Sequence, residues 1–168
     1  QTTTASRHLT FSRGLISLMP ISLALTSLVI YSLISVSEVH TSLTQIFNAN
    51  LTNATLEGAD LSEADLSNVD LRDVNLSNTV LREADLSNAD ICHADLSNAD
   101  LSNAILFNTF LREADLSEAD LKHADLGYAY LQGACLFDAD LPDANLKNAD
   151  LPDVDLSKAN FRKANLSG

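Results

Sequence analysis

The sequence lacks the motifs that mark common enzyme and metal sites. It contains no tryptophan and only two cysteines in 168 residues. Cys92 and Cys135 are too few for a disulfide framework, and neither belongs to a CxxC pair of the kind found in zinc and redox sites. The four histidines are dispersed, and no nucleophile elbow or phosphate-binding loop is present. We therefore expect no catalytic residue, no metal site and no cofactor.

Positive charge is also scarce. Ten lysine and arginine residues stand against 23 aspartate and glutamate residues, which gives a net charge of −13. A surface of this sign repels the phosphate backbone of DNA and RNA. The composition therefore argues against nucleic acid as a partner.

Charge of either sign is absent from residues 14–36, which read GLISLMPISLALTSLVIYSLISV. As an α-helix these 23 residues would extend about 34 Å, enough to cross a hydrocarbon core of about 30 Å. We predict an N-terminal tail over 1–13, a transmembrane helix over 14–37 that contacts the lipid bilayer, and a connector over 38–48. Two alternatives stay open: a signal peptide cleaved near Ser35, Val36 and Ser37, and a buried helix of a soluble protein.

The arginines predict the orientation of this segment. Arg7 and Arg13 precede it, and the next lysine or arginine is Arg72. Cytoplasmic flanks of membrane helices carry an excess of positive charge. We therefore expect a single-pass membrane protein with its N-terminus in the cytoplasm or stroma and the remainder of the chain on the opposite side.

Residues 49–168 follow a period of five. From Leu51 to Leu166 every fifth residue is apolar, and 22 of these 24 positions are leucine. A small residue, usually alanine, lies two positions earlier, and an aspartate or asparagine usually lies between the two. On an α-helix such leucines would scatter around the axis, and on a continuous strand they would alternate between faces. The period instead predicts a short extended piece, with alanine and leucine on one face, followed by a turn of polar residues.

Stretches such as ADLSEADLSNVDL (59–71) and ADLSEADLKHADL (114–126) resemble the pentapeptide-repeat family. The resemblance implies an all-β solenoid over 49–168, a right-handed quadrilateral β-helix with four pentapeptides per coil. The central leucines would fill its interior. One hydrophobic α-helix would precede this solenoid at the N-terminus.

The outward position between alanine and leucine departs from aspartate or asparagine at a few repeats. With 20 residues per coil, Phe110 and Tyr130 should lie one above the other, and the ring of Phe107 should lie against Gly127. We therefore predict one exposed apolar patch on the third to fifth coils, and Phe137 should lie on the far side of the solenoid. The patch is interpreted as a docking site for a partner; the alternative is a self-packing aromatic ladder that only stabilises the surface. Its members are Ile105, Phe107, Phe110, Tyr128 and Tyr130.

These observations favour a non-catalytic, membrane-anchored scaffold or accessory subunit of a larger membrane complex. The family resemblance makes a thylakoid photosynthetic complex, with photosystem subunits as partners, the natural concrete case. The repeat domain would then lie in the thylakoid lumen or periplasm. Two alternatives are an acidic DNA mimic that binds DNA gyrase and a soluble lumenal or periplasmic interaction protein released from a signal peptide. The C-terminal coil is a further candidate for end-to-end contact or homodimer formation.

Overall fold

Each group of five residues forms a short extended piece and a tight turn throughout residues 51–168, the part of the chain that the computed structural model describes. In a typical repeat, the amide of Ala64 donates a hydrogen bond of 3.1 Å to the carbonyl of Leu61 and closes the turn. The second corner residue of that turn, Glu63, has a φ of 58°. The same position has positive φ in every repeat, whereas the first corner residue does not. This combination is typical of a type II turn.

The outward aspartate or asparagine explains why the chain turns where it does. Its side-chain oxygen Oδ1 accepts a hydrogen bond from the backbone N–H two residues later. Examples are Ser67 N to Asp65 Oδ1 at 3.1 Å and Ser77 N to Asn75 Oδ1 at 2.9 Å. A short acceptor side chain at this position stabilises the turn locally. The turn that the period of five predicts after each leucine is therefore confirmed.

Residues 20 apart pair in parallel and stack the coils. Isolated one-residue β-bridges occur at every fifth residue, from Thr55↔Asn75 to Asn145↔Asn165. Each bridge is held on both sides, as when Leu66 N donates to Asp85 O at 2.7 Å and Asp85 N donates to Ala64 O at 2.9 Å. Within residues 51–168 there is no helix and no longer strand. Four turns in each 20-residue coil give the solenoid four faces and four edges.

The interior consists of the leucines and the small residues beside them. The side chains of this set are almost fully buried from Leu61 to Leu146, with Ile91 replacing one leucine. Each buried leucine contributes on the order of 1.5–3 kcal/mol. Where threonine replaces alanine its hydroxyl is satisfied, since Thr109 Oγ1 donates to the carbonyl of Leu86 at 2.8 Å. The sequence pattern thus explains both the core and its uniformity.

The predicted tail, transmembrane helix 14–37 and connector 38–48 lie outside the described residues, so they stay predictions. Of residues 51–168, none belongs to a helix long and apolar enough to cross a membrane.

Candidate docking surface on one edge of the solenoid

Two aromatic rings stack on one face of the solenoid. Phe110 and Tyr130 form a bridge pair in successive coils. Their ring centroids lie 4.9 Å apart and their planes differ by 5°. Coils spaced by about 4.8 Å bring rings in one column to stacking distance. The stacking therefore follows from the 20-residue period, and both rings are half-buried.

Two more rings meet at the adjoining corner. Phe107 and Tyr128 approach edge to face, with centroids 5.4 Å apart and planes at 65°. They are 43% and 48% exposed, respectively. Gly127 leaves room for this contact, because a Cβ atom there would lie 3.3 Å from Cδ2 of Phe107. The sequence predicted that Gly127 would lie against this ring, and the structure places it so.

Ile105 completes the predicted set. It lies two residues before Phe107 in the neighbouring face and is 41% exposed. Its bridge partners in the coils below and above are Asp85 and Asp125. We call Ile105, Phe107, Phe110, Tyr128 and Tyr130 together the aromatic patch. The structure pairs its four rings as described, and the docking role of the five residues stays a prediction.

Two polar side chains, Asn108 and Arg112, border the patch. The side-chain nitrogen Nδ2 of Asn108 donates a hydrogen bond of 2.8 Å to Oδ1 of Asn88, one coil away. The guanidinium carbon of Arg112 lies 6.0 Å from the centroid of Tyr130, at the outer limit of a cation–π contact. The residue spacing indicates that Arg112 lies near Tyr130. Arg112 begins the corner that follows Phe110 and Leu111, and Tyr130 stacks on Phe110.

The edge that carries the patch differs in charge from the other three. We call this edge, formed by corner residues 67–68, 87–88, 107–108, 127–128 and 147–148, the patch edge. It contains no aspartate or glutamate, and its one charged residue is Lys147. Each of the other three edges carries three carboxylates in its corner residues. In a protein of net charge −13, the exposed rings of Phe107 and Tyr128 thus lie on the edge with the fewest acidic groups.

The next edge contains the most chemically varied side chains among residues 51–168. A shallow, open depression is lined by Arg72, Asp73, Cys92, His93, Arg112, Glu113 and Gln132. Burial, with a contribution from Asp90, raises the pKa of the Cys92 thiol to about 11, so this thiol stays protonated at neutral pH. Both cysteines are free. Among residues 51–168, no group of three or more histidine, cysteine, aspartate or glutamate side chains is placed to hold a metal ion.

Arg72 is occupied by carboxylates on the same face as the stacked rings. Its Nε donates to Oδ1 of Asp70 at 2.9 Å, and its Nη2 donates to Oδ2 at 2.7 Å. These side-chain hydrogen bonds hold the pKa of Asp70 below its ordinary value. The guanidinium also lies 3.6 Å from Oδ2 of Asp90. Arg72 therefore offsets repulsion between the stacked carboxylates of Asp70 and Asp90, and it does not form a free anion site.

Known proteins that are similar to this chain contain the same repeat. The family model described as pentapeptide repeats matches in eight copies over residues 44–82, 70–108, 106–138 and 129–168. No curated protein matches the chain. Among solved structures, HetL, involved in heterocyst differentiation regulation in the cyanobacterium Nostoc sp. strain PCC 7120, is 30% identical, with a TM-score of 0.33. The match covers 70% of this chain and 64% of HetL, so the chain spans less than two thirds of that relative.

Two further solved structures come from different settings. A pentapeptide repeat protein from the Arabidopsis thaliana thylakoid lumen is 24% identical, with 71% of this chain and 62% of that protein covered and a TM-score of 0.31. A trypsin-treated form of QnrB1, a plasmid-mediated fluoroquinolone resistance protein, is 18% identical, with 75% and 80% covered and a TM-score of 0.44.

Proposed function

Since this chain belongs to the pentapeptide-repeat family, whose fold is a right-handed quadrilateral β-helix, we propose that it is a non-catalytic, membrane-anchored scaffold or accessory subunit. It docks onto a larger membrane complex through the aromatic patch. One observation carries the proposal: three large apolar side chains, each more than 40% exposed, lie together on an otherwise acidic solenoid. Contiguous exposed apolar side chains of this kind are characteristic of interaction sites.

Tyr128 is an unusual residue for its own column of corner positions. Tyr128 occupies a corner position with a φ of 59°, a conformation that costs about 1–2 kcal/mol for most residues. The same column carries Asn68, Asn88 and Asn108, and asparagine tolerates this conformation better. An aromatic residue at a strained position is a reason to look for a function.

The interior leaves no room for a substrate pocket. Leucine and alanine side chains fill it from one coil to the next, and their exposure is close to zero over the central coils. Enzyme sites need a concave pocket in which a few polar groups converge. The proposal therefore contains no catalytic step, and the outer surface carries the function.

The membrane part of the proposal rests on the sequence before the solenoid. The uncharged run at 14–36 is long enough to serve as an anchor, and Arg7 and Arg13 favour a cytoplasmic or stromal N-terminus. The solenoid then stands in the thylakoid lumen or periplasm. A thylakoid photosynthetic complex is the concrete case that we propose.

Purification of the tagged full chain from membranes in mild detergent tests this function. We expect a companion protein in stoichiometric amount, which is lost when Phe107→Ser and Tyr128→Asn are combined. The matched control is Phe137→Ser on the opposite edge, which should retain the companion. A monomer without any stoichiometric companion would contradict the proposal. N-terminal sequencing of the mature protein separates a retained anchor from a soluble protein released by cleavage.

A second candidate, a DNA mimic that acts on DNA gyrase, is favoured by one feature of the surface. Outward carboxylates stack in successive coils, as in the column Asp100, Asp120 and Asp140, so one face presents a row of negative charges. A DNA supercoiling assay with gyrase and the purified chain separates the two functions. We expect no effect on supercoiling, whereas inhibition, or protection from a quinolone, would favour the mimic.

A further inference from the structure

We infer that the segment that binds the aromatic patch is cationic: a stretch of another protein in which a large apolar side chain is flanked by lysine or arginine. This inference rests on the proposed docking function and names the chemistry of the partner.

Carboxylates enclose the patch along the axis of the solenoid. Asp85 and Asp125 are the bridge partners of Ile105 below and above. Asp90 lies below Phe110 in the neighbouring column, and Asp150 lies above Tyr130. At about 4.8 Å per coil, the two carboxylates of the first column are about 10 Å apart and those of the second about 14 Å. An apolar side chain seated on the patch therefore has a carboxylate on each side.

Three of these four carboxylates keep an oxygen available. Oδ1 of Asp85 accepts the hydrogen bond from Ser87 N at 2.9 Å. Oδ1 of Asp125 accepts from Gly127 N at 3.0 Å and from Asn145 Nδ2 at 2.7 Å. Within residues 51–168, Oδ2 of both side chains has no partner, and Asp150 forms no side-chain hydrogen bond or ion pair. Asp90 differs, because Arg72 lies 3.6 Å from its Oδ2.

The nearby cations do not cancel this negative charge. Arg112 contacts Tyr130. Lys147 lies one coil above Gly127, and the backbone carbonyl of Lys147 accepts a hydrogen bond from Tyr128 N at 3.0 Å. Together with Arg72 beside Asp90, three cations thus stand near four carboxylates, which leaves the surroundings of the patch negative. Interfaces commonly have an apolar centre and a polar rim. Charges on the rim contribute to specificity for the partner and increase the rate of association. A partner that complements this rim carries positive charge around its apolar residue.

Charge and size disfavour a second copy of this chain as the occupant. A copy has the same net charge of −13 and presents the same carboxylates around the same patch. A stable protein interface also buries about 800 Å² on each partner, from about 20–30 residues a side. The aromatic patch consists of five side chains, which suits a short segment. Anionic lipid is disfavoured for the same electrostatic reason.

Selection of random twelve-residue peptides displayed on phage, against the full chain in mild detergent, tests the inference. We expect the enriched peptides to carry an aromatic or large aliphatic residue flanked by lysine or arginine. Synthetic copies of these peptides, followed by fluorescence anisotropy, should bind at least tenfold more weakly to the Phe107→Ser, Tyr128→Asn variant. Asp85→Asn combined with Asp125→Asn should weaken binding at least threefold, and added salt should reduce that difference. Phe137→Ser should bind as the unchanged chain does.

The substituted residues are ones that the solenoid already uses. Serine occupies the column of Phe107 at residues 67 and 87, asparagine occupies that of Tyr128 at residue 108, and asparagine replaces aspartate at residue 145. Loss of binding therefore does not arise from failure to fold, and circular dichroism of each variant checks this.

Four outcomes would overturn the inference. They are patch-dependent peptides that lack positive charge, no patch-dependent peptide, patch-dependent binding to phosphatidylglycerol vesicles, and self-association lost in the patch variant. The proposed function fails separately, when the patch variant keeps its membrane companion. If the patch variant loses its companion but the enriched peptides carry no positive charge, the cationic partner is rejected and the proposed function stands.

Discussion

The patch edge and the edge diagonally opposite to it use the same turn and the same core but expose different surfaces. Phe107 and Phe137 are both the first corner residue after a buried leucine. In each case the residue 21 positions later contacts the ring. That residue is Tyr128 on the patch edge, with ring centroids 5.4 Å apart. On the opposite edge it is Lys158, whose Nζ lies 4.5 Å from the centroid of Phe137.

The comparison separates what the fold provides from what the individual residue decides. The repeat provides a contact between a corner ring and the residue 21 positions later. A lysine in that place lies over the ring and presents a charge to solvent, and Phe137 is half-buried. A tyrosine leaves both rings open, so Phe107 and Tyr128 stay more than 40% exposed. One residue therefore distinguishes a covered aromatic side chain from an open apolar surface.

The largest effect that we expect is a loss of stability of the same size on both edges. Leu106→Ala and Leu136→Ala each delete a fully buried side chain directly before Phe107 and Phe137, respectively. We expect each to lower the free energy of unfolding by about 2–5 kcal/mol, through lost burial and the cavity left behind. Chemical denaturation of the two variants checks this. Costs that differ by more than about 2 kcal/mol would show that the interior is not uniform, contrary to our description.

An exchange of the two contact residues sharpens the comparison. Tyr128→Lys should place a cation over Phe107 and weaken partner binding at least tenfold, or about 1.4 kcal/mol. Lys158→Tyr should open a second aromatic pair at Phe137 without changing binding at the patch. Copurification and peptide titration measure both effects. Undiminished binding by the Tyr128→Lys variant would mean that the open rings are not the contact surface.

A smaller effect is expected at the stacked pair. Phe110→Asp restores the usual residue of the repeat but removes the stacking with Tyr130, which we expect to cost about 0.5–1.5 kcal/mol beyond lost burial. Cys135→Asp makes the same restoration in the column beside the opposite edge, where no ring is lost. Thermal or chemical unfolding should show the larger loss for Phe110→Asp. Equal losses would attribute the effect to the added carboxylate and not to the stacking.

The smallest expected effect is a gain in stability on the opposite edge. Glu118 has a φ of 58° at a corner where the same column carries Asn78 and Asn98. Asparagine adopts this left-handed conformation at lower cost than glutamate, so Glu118→Asn should raise the free energy of unfolding by about 0.5 kcal/mol. The reverse change, Asn98→Glu, is the control and should lower it by a similar amount. A loss of stability in Glu118→Asn would show that contacts of the glutamate outweigh the backbone strain.

The period of five made most of the solenoid predictable. It specifies which side chains face inward, and the family resemblance supplies four repeats per coil. Together they predict the column of Phe110 and Tyr130, the place of Gly127 beside Phe107, and the distance of Phe137 from the patch. These features depend only on backbone spacing, which the repeat holds constant.

Other features depend on forces that the pattern does not express. The positive φ of Tyr128 opposes its intrinsic preference and is imposed by the coils on either side. The edge-to-face angle of Phe107 and Tyr128 depends on the side-chain rotamers of both residues. The contact of Lys158 with Phe137 likewise depends on side-chain rotamers that the repeat does not specify. The identity of the partner does not follow from the period of five, and the docking role of the aromatic patch stays a prediction.

Site-specific photo-cross-linking tests whether the patch edge is the docking surface. The photoreactive amino acid p-benzoylphenylalanine replaces Tyr128 in one sample of the full chain and Phe137 in another, and both are irradiated in intact membranes. We expect a discrete cross-linked protein from position 128 that is absent from position 137. The same products from both positions, or none from position 128, would contradict the assignment of the patch edge as the docking surface.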